Sequence, residues 1–227
     1  MRAIAAFLVL MFMLMPAMAE MAEVAPGVSV TKKTYQAAEN EQPFFGFEAK
    51  TPAQIEADKN FVAEIVRLAA SRKHALDEAL KRGWQALASG DLATAGRRFN
   101  QAYLLAPEQS RIYHAFAALV QTRFKDVAYA DELFRVALRQ PNPGETLRAD
   151  YGRFLLIAKR PADARPVLEQ AVIDAPKFGN AWSNLAFARL QTGDRPGACK
   201  AAAEADKLSR LGNVKSDIVL LKQEANC

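Results

Sequence analysis

Histidine and cysteine are scarce, with two of each among 227 residues. A four-ligand zinc site would consume all of them or borrow carboxylates, and a disulfide-dense mini-domain needs several cysteine pairs. No metal ligand and no cofactor is therefore expected. His74 and His114 are widely separated, with no marked partner for general-base work. Cys199 beside a distant histidine would make a thiol dyad, but it occupies an apolar helix position, and there is no C-x-x-C. Glycine-rich phosphate loops, G-x-S-x-G and H-E-x-x-H are missing as well. No catalytic residue is assigned, and an enzyme is not expected.

Strong charge of one sign is also lacking: 30 Lys and Arg against 25 Asp and Glu leave +5. With no recognition motif, that mild excess does not predict a nucleic-acid partner. At 51% hydrophobic residues the chain can bury a core.

Only one long uncharged apolar run occurs, from Ala3 to Met15, preceded by Arg2 and followed by Pro16 and Ala17-Met18-Ala19. A basic start, a short apolar stretch and small residues flanking Met18 read as a secretory signal peptide over residues 1–19, cleaved after Ala19. Cleavage after Ala22 and an uncleaved anchor are the alternatives, although the run is short for a span. No cysteine stands beside the cleavage site, which excludes lipidation there. The expectation is a periplasmic or secreted protein with no integral membrane span after cleavage.

Residues 20–50 hold Pro and Gly punctuation, no helical period and a brief alternation at Val28 to Val30, so they read as an extended arm. Its Phe44, Phe45 and Phe47 surround Gly46. They either fold back over the first helix or, left exposed, support weak self-association. From Thr51, a cap, the pattern turns helical: Pro52 suits the first turn, and Ile55, Val62, Ile65 and Val66 recur near 3.6 residues. An amino-terminal helix over 51–75 follows. Whether residues 52–89 form one helix or two is open.

The remainder repeats. Ala95, Ala130, Ala164 and Ala198 are spaced by 35, 34 and 34 residues, and so are Ala102, Ala137, Ala171 and Ala205, and Gly83, Ala118, Gly152 and Ala186. Phe99, Phe134, Leu168 and Ala202 fall between the two alanines of each unit, completing an i, i+4, i+7 stripe. Two antiparallel helices approach closely only where small residues meet, and an exposed face on each pair is covered by stacking the next. A solenoid of helix pairs is the expected result.

On these residues the chain resembles the tetratricopeptide-repeat (TPR) family. The best matches are GDLATAGRRFNQAYLLAP and AWSNLAFARLQTGD, with Trp182, Leu185 and Ala186 at the family's large, large and small positions. The resemblance implies an all-α, right-handed superhelical solenoid of about four helix-turn-helix units, at 76–109, 111–144, 145–178 and 179–212. The second unit departs most. His114 replaces a large aromatic and Lys125 the turn glycine, so its first helix is expected to be set differently.

Residues 213–227 read as a capping helix, with Val214, Ile218 and Leu221 as its apolar stripe. The midpoint of Cys199 and Cys227 is residue 213, beside Gly212, so an antiparallel hairpin brings the two thiols together. A Cys199–Cys227 disulfide is expected in an oxidising compartment; two half-buried free thiols are the alternative.

The resemblance implies a concave groove lined by the first helix of each unit. Its candidate ligand-binding residues here are Trp84, Leu87, Leu119, Arg123, Arg153, Asn180, Asn184 and Phe187. The implied function is a non-catalytic scaffold or adaptor in a bacterial envelope, binding a peptide or protein segment. The alternative is an accessory factor that presents a cell-wall or outer-membrane enzyme through another surface.

Overall fold

The computed structural model describes residues 20–208 and 212–227. The expected signal peptide, the segment 209–211 and the Val214 side chain lie outside the described residues.

Helix α1 (Pro52–Leu68) starts on a capping box: the Thr51 hydroxyl accepts from Gln54 N at 3.3 Å, and Gln54 Oε1 accepts from Thr51 N at 2.8 Å. It has no buried residue and lays only half-buried Val62, Ile65 and Val66 against the core. The break that follows runs through Ala70 at φ 61°, and Ser71 caps α2 (Arg72–Ser89) by accepting from His74 N at 3.1 Å. Residues 52–89 are thus two helices.

Four helix pairs follow: α2 with α3 (Leu92–Leu105), α4 (Ser110–Leu119) with α5 (Val127–Arg139), α6 (Leu147–Ile157) with α7 (Pro161–Asp174), and α8 (Gly179–Gln191) with α9 (Arg195–Leu208). Helix α10 (Gly212–Ala225) then packs on α8 and α9. The eight alanines of the two repeating stripes are all fully buried. A Cβ built on Gly83 would lie 2.3 Å from the Phe99 ring, so the small residue of one helix is what lets the large residue of its partner in. Gly152 stands in the same relation to Leu168. The turns repeat as well: Tyr113 donates to the Pro107 carbonyl at 2.7 Å, and Trp182 Nε1 donates to the Pro176 carbonyl at 2.9 Å.

The second unit departs as its sequence implies. After Leu119 the chain continues as a π-helical turn over Val120–Phe124 and ends on Lys125 at φ 57°, a left-handed residue where glycine is the ordinary choice. Widening the last turn rotates the residues after Leu119 away from the phase of the preceding helix.

Residues 20–50 are not an extended arm. Strands β1 (Met21–Ala25) and β2 (Val28–Thr31) pair as an antiparallel hairpin around Gly27, burying Val24, Ala25, Val28 and Val30. Among the described residues one strand pair accompanies the helices, held by the burial of Val24, Ala25, Val28 and Val30. The hairpin lies against the second helices of the first two units. Tyr103 donates to the Val24 carbonyl, and Glu132 on α5 accepts from Thr31 N at 2.6 Å. Tyr35 stacks on Phe124 at 3.9 Å between ring centroids.

Two short 3-10 turns, Glu39–Glu41 and Pro43–Phe47, complete this segment. Phe44, Phe45, Gly46 and Phe47 all have positive φ, between 54° and 64°. A left-handed turn of L-residues costs roughly 1–2 kcal/mol per residue and persists only where surrounding contacts fix it. Here Phe44 is buried among Tyr103, Tyr113 and Phe116. Buried Asn100 donates to the Gln42 carbonyl at 2.6 Å and accepts from Phe45 N at 3.1 Å. Gly96 admits the Glu41 carbonyl, which would sit 2.4 Å from a Cβ there. The phenylalanines therefore seal α3 and α4 rather than the first helix. Phe44 is buried, Phe47 packs half-buried on the core and Lys50 lies over the half-buried Phe45 ring, so the run is largely covered by the chain itself.

Candidate functional site: the concave groove

The first helices α2, α4, α6 and α8 line one side of the solenoid, and three adjoining pockets open along it. The first, of about 270 Å³, lies between α2, α4 and α6 and is lined by Trp84, His114, Asp150, Arg153 and Ile157. The second, of about 230 Å³, lies between α6, α8 and α10 and is lined by Arg153, Ile157, Asn184, Phe187 and Asp217. A third of about 230 Å³ reaches round to Lys125 and Val127 and again includes Ile157. Ile157 borders all three and is 60% exposed.

Of the residues expected in the groove, Trp84, Arg153, Asn184 and Phe187 line these pockets. Leu87 is half-buried against the core beside them, and Asn180 is half-buried at the start of α8. Asn184 Nδ2 donates to the Ala149 carbonyl at 3.4 Å, which orients it between α6 and α8.

Two expected residues do not belong to the groove. Leu119 is fully buried, because at the end of α4 it points into the helix pair. Arg123 is carried by the π-helical turn to the amino-terminal hairpin segment, where its Nη2 donates to Glu41 Oε2 at 2.6 Å and its Nη1 to the Leu92 carbonyl at 3.2 Å. With its charge paired at a half-buried position, Arg123 is a fastening for the chain's own arm.

Sequence reasoning passed over two residues that the groove uses. Ile157 stands one turn after Arg153, an i, i+4 relation that places both on one face. His114 was weighed as a general base and as a departure from the repeat pattern, but not as a groove residue. Its side chain is 9% exposed, and its ring lies 5.0 Å from Trp84 and 5.8 Å from Phe134 between centroids. Nε2 is 3.1 Å from Asp150 Oδ2, yet the ring N–H does not aim at that oxygen, so this buried nitrogen has no hydrogen-bond partner among the described residues. Arg153 is exposed, with no carboxylate at ion-pair distance among the described residues.

At the carboxyl end the disulfide is present. Cys199 and Cys227 are bonded with Cα atoms 5.6 Å apart, and Lys222 Nζ reaches Asp206 at 2.7 Å. The two ties hold α10 in the position from which Asp217 faces the groove. No helix among the described residues is long and apolar enough to cross a membrane.

Stacked helix pairs with a pocketed concave side define a repeat scaffold of the kind used for protein–protein interaction. The sequence matches no protein-family model and no curated protein. Among solved structures, PilF of Pseudomonas aeruginosa is similar at 25% identity and a TM-score of 0.59, over 68% of this chain and 71% of that one. PilW, a widely conserved type IV pilus biogenesis factor, is similar at 16% identity and a TM-score of 0.55, over 78% and 88%. Yeast Tom70 is similar at 15% identity and a TM-score of 0.56 over 81% of this chain, which spans 45% of Tom70. The chain has the fold of a tetratricopeptide-repeat solenoid.

Proposed function

We propose that this protein is a non-catalytic adaptor of the bacterial envelope that binds an extended segment of a partner protein in its concave groove. One observation carries the reading: three adjoining pockets share Ile157 on the side of the first helices, whereas the opposite side of the first two units is covered by the chain's own hairpin segment. The amino-terminal leader pattern, the Cys199–Cys227 disulfide and the likeness to PilF and PilW support an exported, periplasmic setting. PilW's description as a pilus biogenesis factor supports a role in assembling an envelope structure.

In-cell crosslinking of tagged protein, read by mass spectrometry, tests the reading. Native protein captures envelope proteins, and Ile157→Glu loses them with helical content unchanged; capture that Ile157→Glu leaves intact refutes the groove.

A second reading, an accessory that presents an envelope enzyme through another face, is favoured by Val219 and Leu220, exposed to 56% and 51% on α10. Under it, Val219→Glu with Leu220→Glu loses the captured partners and Ile157→Glu keeps them.

A further inference from the structure

Each unit turns from its first helix to its second through a left-handed residue followed by the helix cap. In the first and fourth units these are Gly90 with Asp91 and Gly193 with Asp194, the glycines at φ 83° and 85° and each aspartate accepting a backbone N–H of the next helix. In the second and third units the left-handed residue is a lysine, Lys125 at φ 57° and Lys159 at φ 60°. A residue with a Cβ is disfavoured in that region. The third turn departs twice, because Arg160 stands at the cap of α7, where the helix dipole favours an anion, and its side chain caps nothing. Two neighbouring turns thus forgo the residues that the same chain uses at its outer turns. Both lysines are exposed, so packing does not repay the change, and local rules broken without a packing gain mark a working surface.

Between these two turns lies the pocket of about 230 Å³ that reaches Lys125. Its lining holds Val127, Phe154, Ile157 and Ala158, the neutral Gln121 and Thr122, and Lys125, with no carboxylate among the described residues. Val127 and Ile157 are 47% and 60% exposed, and Lys159 directly follows Ala158. Neither lysine has a carboxylate at ion-pair distance among the described residues, because the acids nearby are already engaged. Asp126 caps α5 and meets Lys33 at 3.5 Å and the Tyr35 hydroxyl at 3.3 Å. Asp131 and Asp163 are held by Arg160 at 3.2 and 2.7 Å.

We infer that this edge receives an acidic segment of a partner protein, one bulky apolar side chain entering the pocket between Val127 and Ile157 and Asp or Glu carboxylates on either side meeting Lys125 and Lys159. A lipid surface offers its anionic charge in a plane and leaves a recess empty, whereas a protein segment brings a side chain into it with charge on either side. The pocket adjoins the groove through Ile157, so the inference rests on the binding reading above and adds the charge of the segment where it passes over the turns.

Fluorescence anisotropy on the full chain at low ionic strength tests it, using fluorescein-labelled nonapeptides. One has a central Leu between glutamates, a second has Ser in place of that Leu, and a third has lysines in place of the glutamates; vesicles of phosphatidylglycerol and phosphatidylethanolamine are the fourth probe. The Glu-Leu peptide binds tightest, and the Ser and Lys peptides bind about tenfold or more weakly. Lys125→Gly with Lys159→Gly is the decisive variant, because glycine suits both left-handed positions: the urea midpoint holds or rises while the Glu-Leu peptide loses about tenfold in affinity. Lys125→Glu with Lys159→Glu turns the preference toward the Lys peptide. Binding that ignores both pairs of substitutions, tighter binding to the vesicles than to the Glu-Leu peptide, or no peptide binding at millimolar concentration overturns the inference. These variants leave Trp84, Arg153 and Phe187 in place, so partners that crosslink in cells to the glycine variant but not to Ile157→Glu refute the edge and leave the groove reading standing.

Discussion

Arg123 and Glu41 meet at 2.6 Å across 82 positions of sequence, joining the end of α4 to the turn that precedes the phenylalanine run. Arg97 reaches the other oxygen of the same carboxylate. Side-chain exposures of 19% and 16% put the Arg123–Glu41 pair largely out of solvent, where charged hydrogen bonds are worth most. Glu41→Ala is expected to loosen residues 20–48 by about 2 kcal/mol while the helix pairs stay folded. Hydrogen exchange of the Val24, Val28 and Val30 amides measures this; unchanged protection there would count against the fastening.

Gly83→Ala is expected to destabilise the first helix pair by about 1–3 kcal/mol, because the new methyl meets the buried Phe99 ring at 2.3 Å. Gly144→Ala, where a Cβ meets nothing within 4 Å, serves as the control and leaves the urea midpoint unchanged or slightly raised. Equal midpoints for the two variants would refute the close-packing account.

Reduction, or Cys227→Ser, opens a loop with a sequence separation of 28 and is expected to cost roughly 3 kcal/mol. The loss falls on α10, whose remaining tie to α9 is Lys222 with Asp206 and the apolar contact of Ile218 and Leu221. Limited trypsin digestion followed by mass spectrometry checks it: with a dithiol reductant, cleavage after Lys215 and Lys222 precedes cleavage in α2 to α7.

All five tyrosines, Tyr35, Tyr103, Tyr113, Tyr129 and Tyr151, have phenol pKa values raised above the ordinary one, chiefly by burial. Asp126 beside Tyr35 and the hydrogen bond from Tyr151 to Asp131 add to the rise. A pKa raised on folding means that the stabilisation is complete below the unfolded value, about 10, and is lost as pH rises toward the folded values. Absorbance at the tyrosinate band is therefore expected to stay flat through pH 10 and then climb together with loss of helical ellipticity. A smooth titration near pH 10 in folded protein would contradict the burial.

The repeat register was legible because alanine at fixed spacing is a requirement of helix contact, so Ala95, Ala130, Ala164 and Ala198 announced it directly. The Cys199–Cys227 pairing followed from hairpin symmetry for the same reason. Lys125 flagged an altered turn, but which way Arg123 would swing depends on a single widened helical turn, and no pattern of residue types encodes that. The left-handed run at Phe44 to Phe47 was illegible on its face: three of its four residues disfavour that backbone, and it exists because Asn100, Gly96 and Tyr103 receive it from about 60 positions away. In the groove, the positions implied by the repeat resemblance located Trp84, Arg153, Asn184 and Phe187. Leu119 was misplaced because a position carried over from a regular repeat does not register the altered end of α4, where it is buried in the helix pair.

The hairpin segment acts as a splint. It crosses α3, α4 and the start of α5 and reaches no further, so the first two units are braced from outside while the last two are held only by their own stacking and the disulfide. Bending stiffness is therefore graded along the solenoid. Any change in curvature is concentrated at the junctions on either side of α6, which the first two groove pockets span, so the two pockets change width together as the third unit shifts on its neighbours.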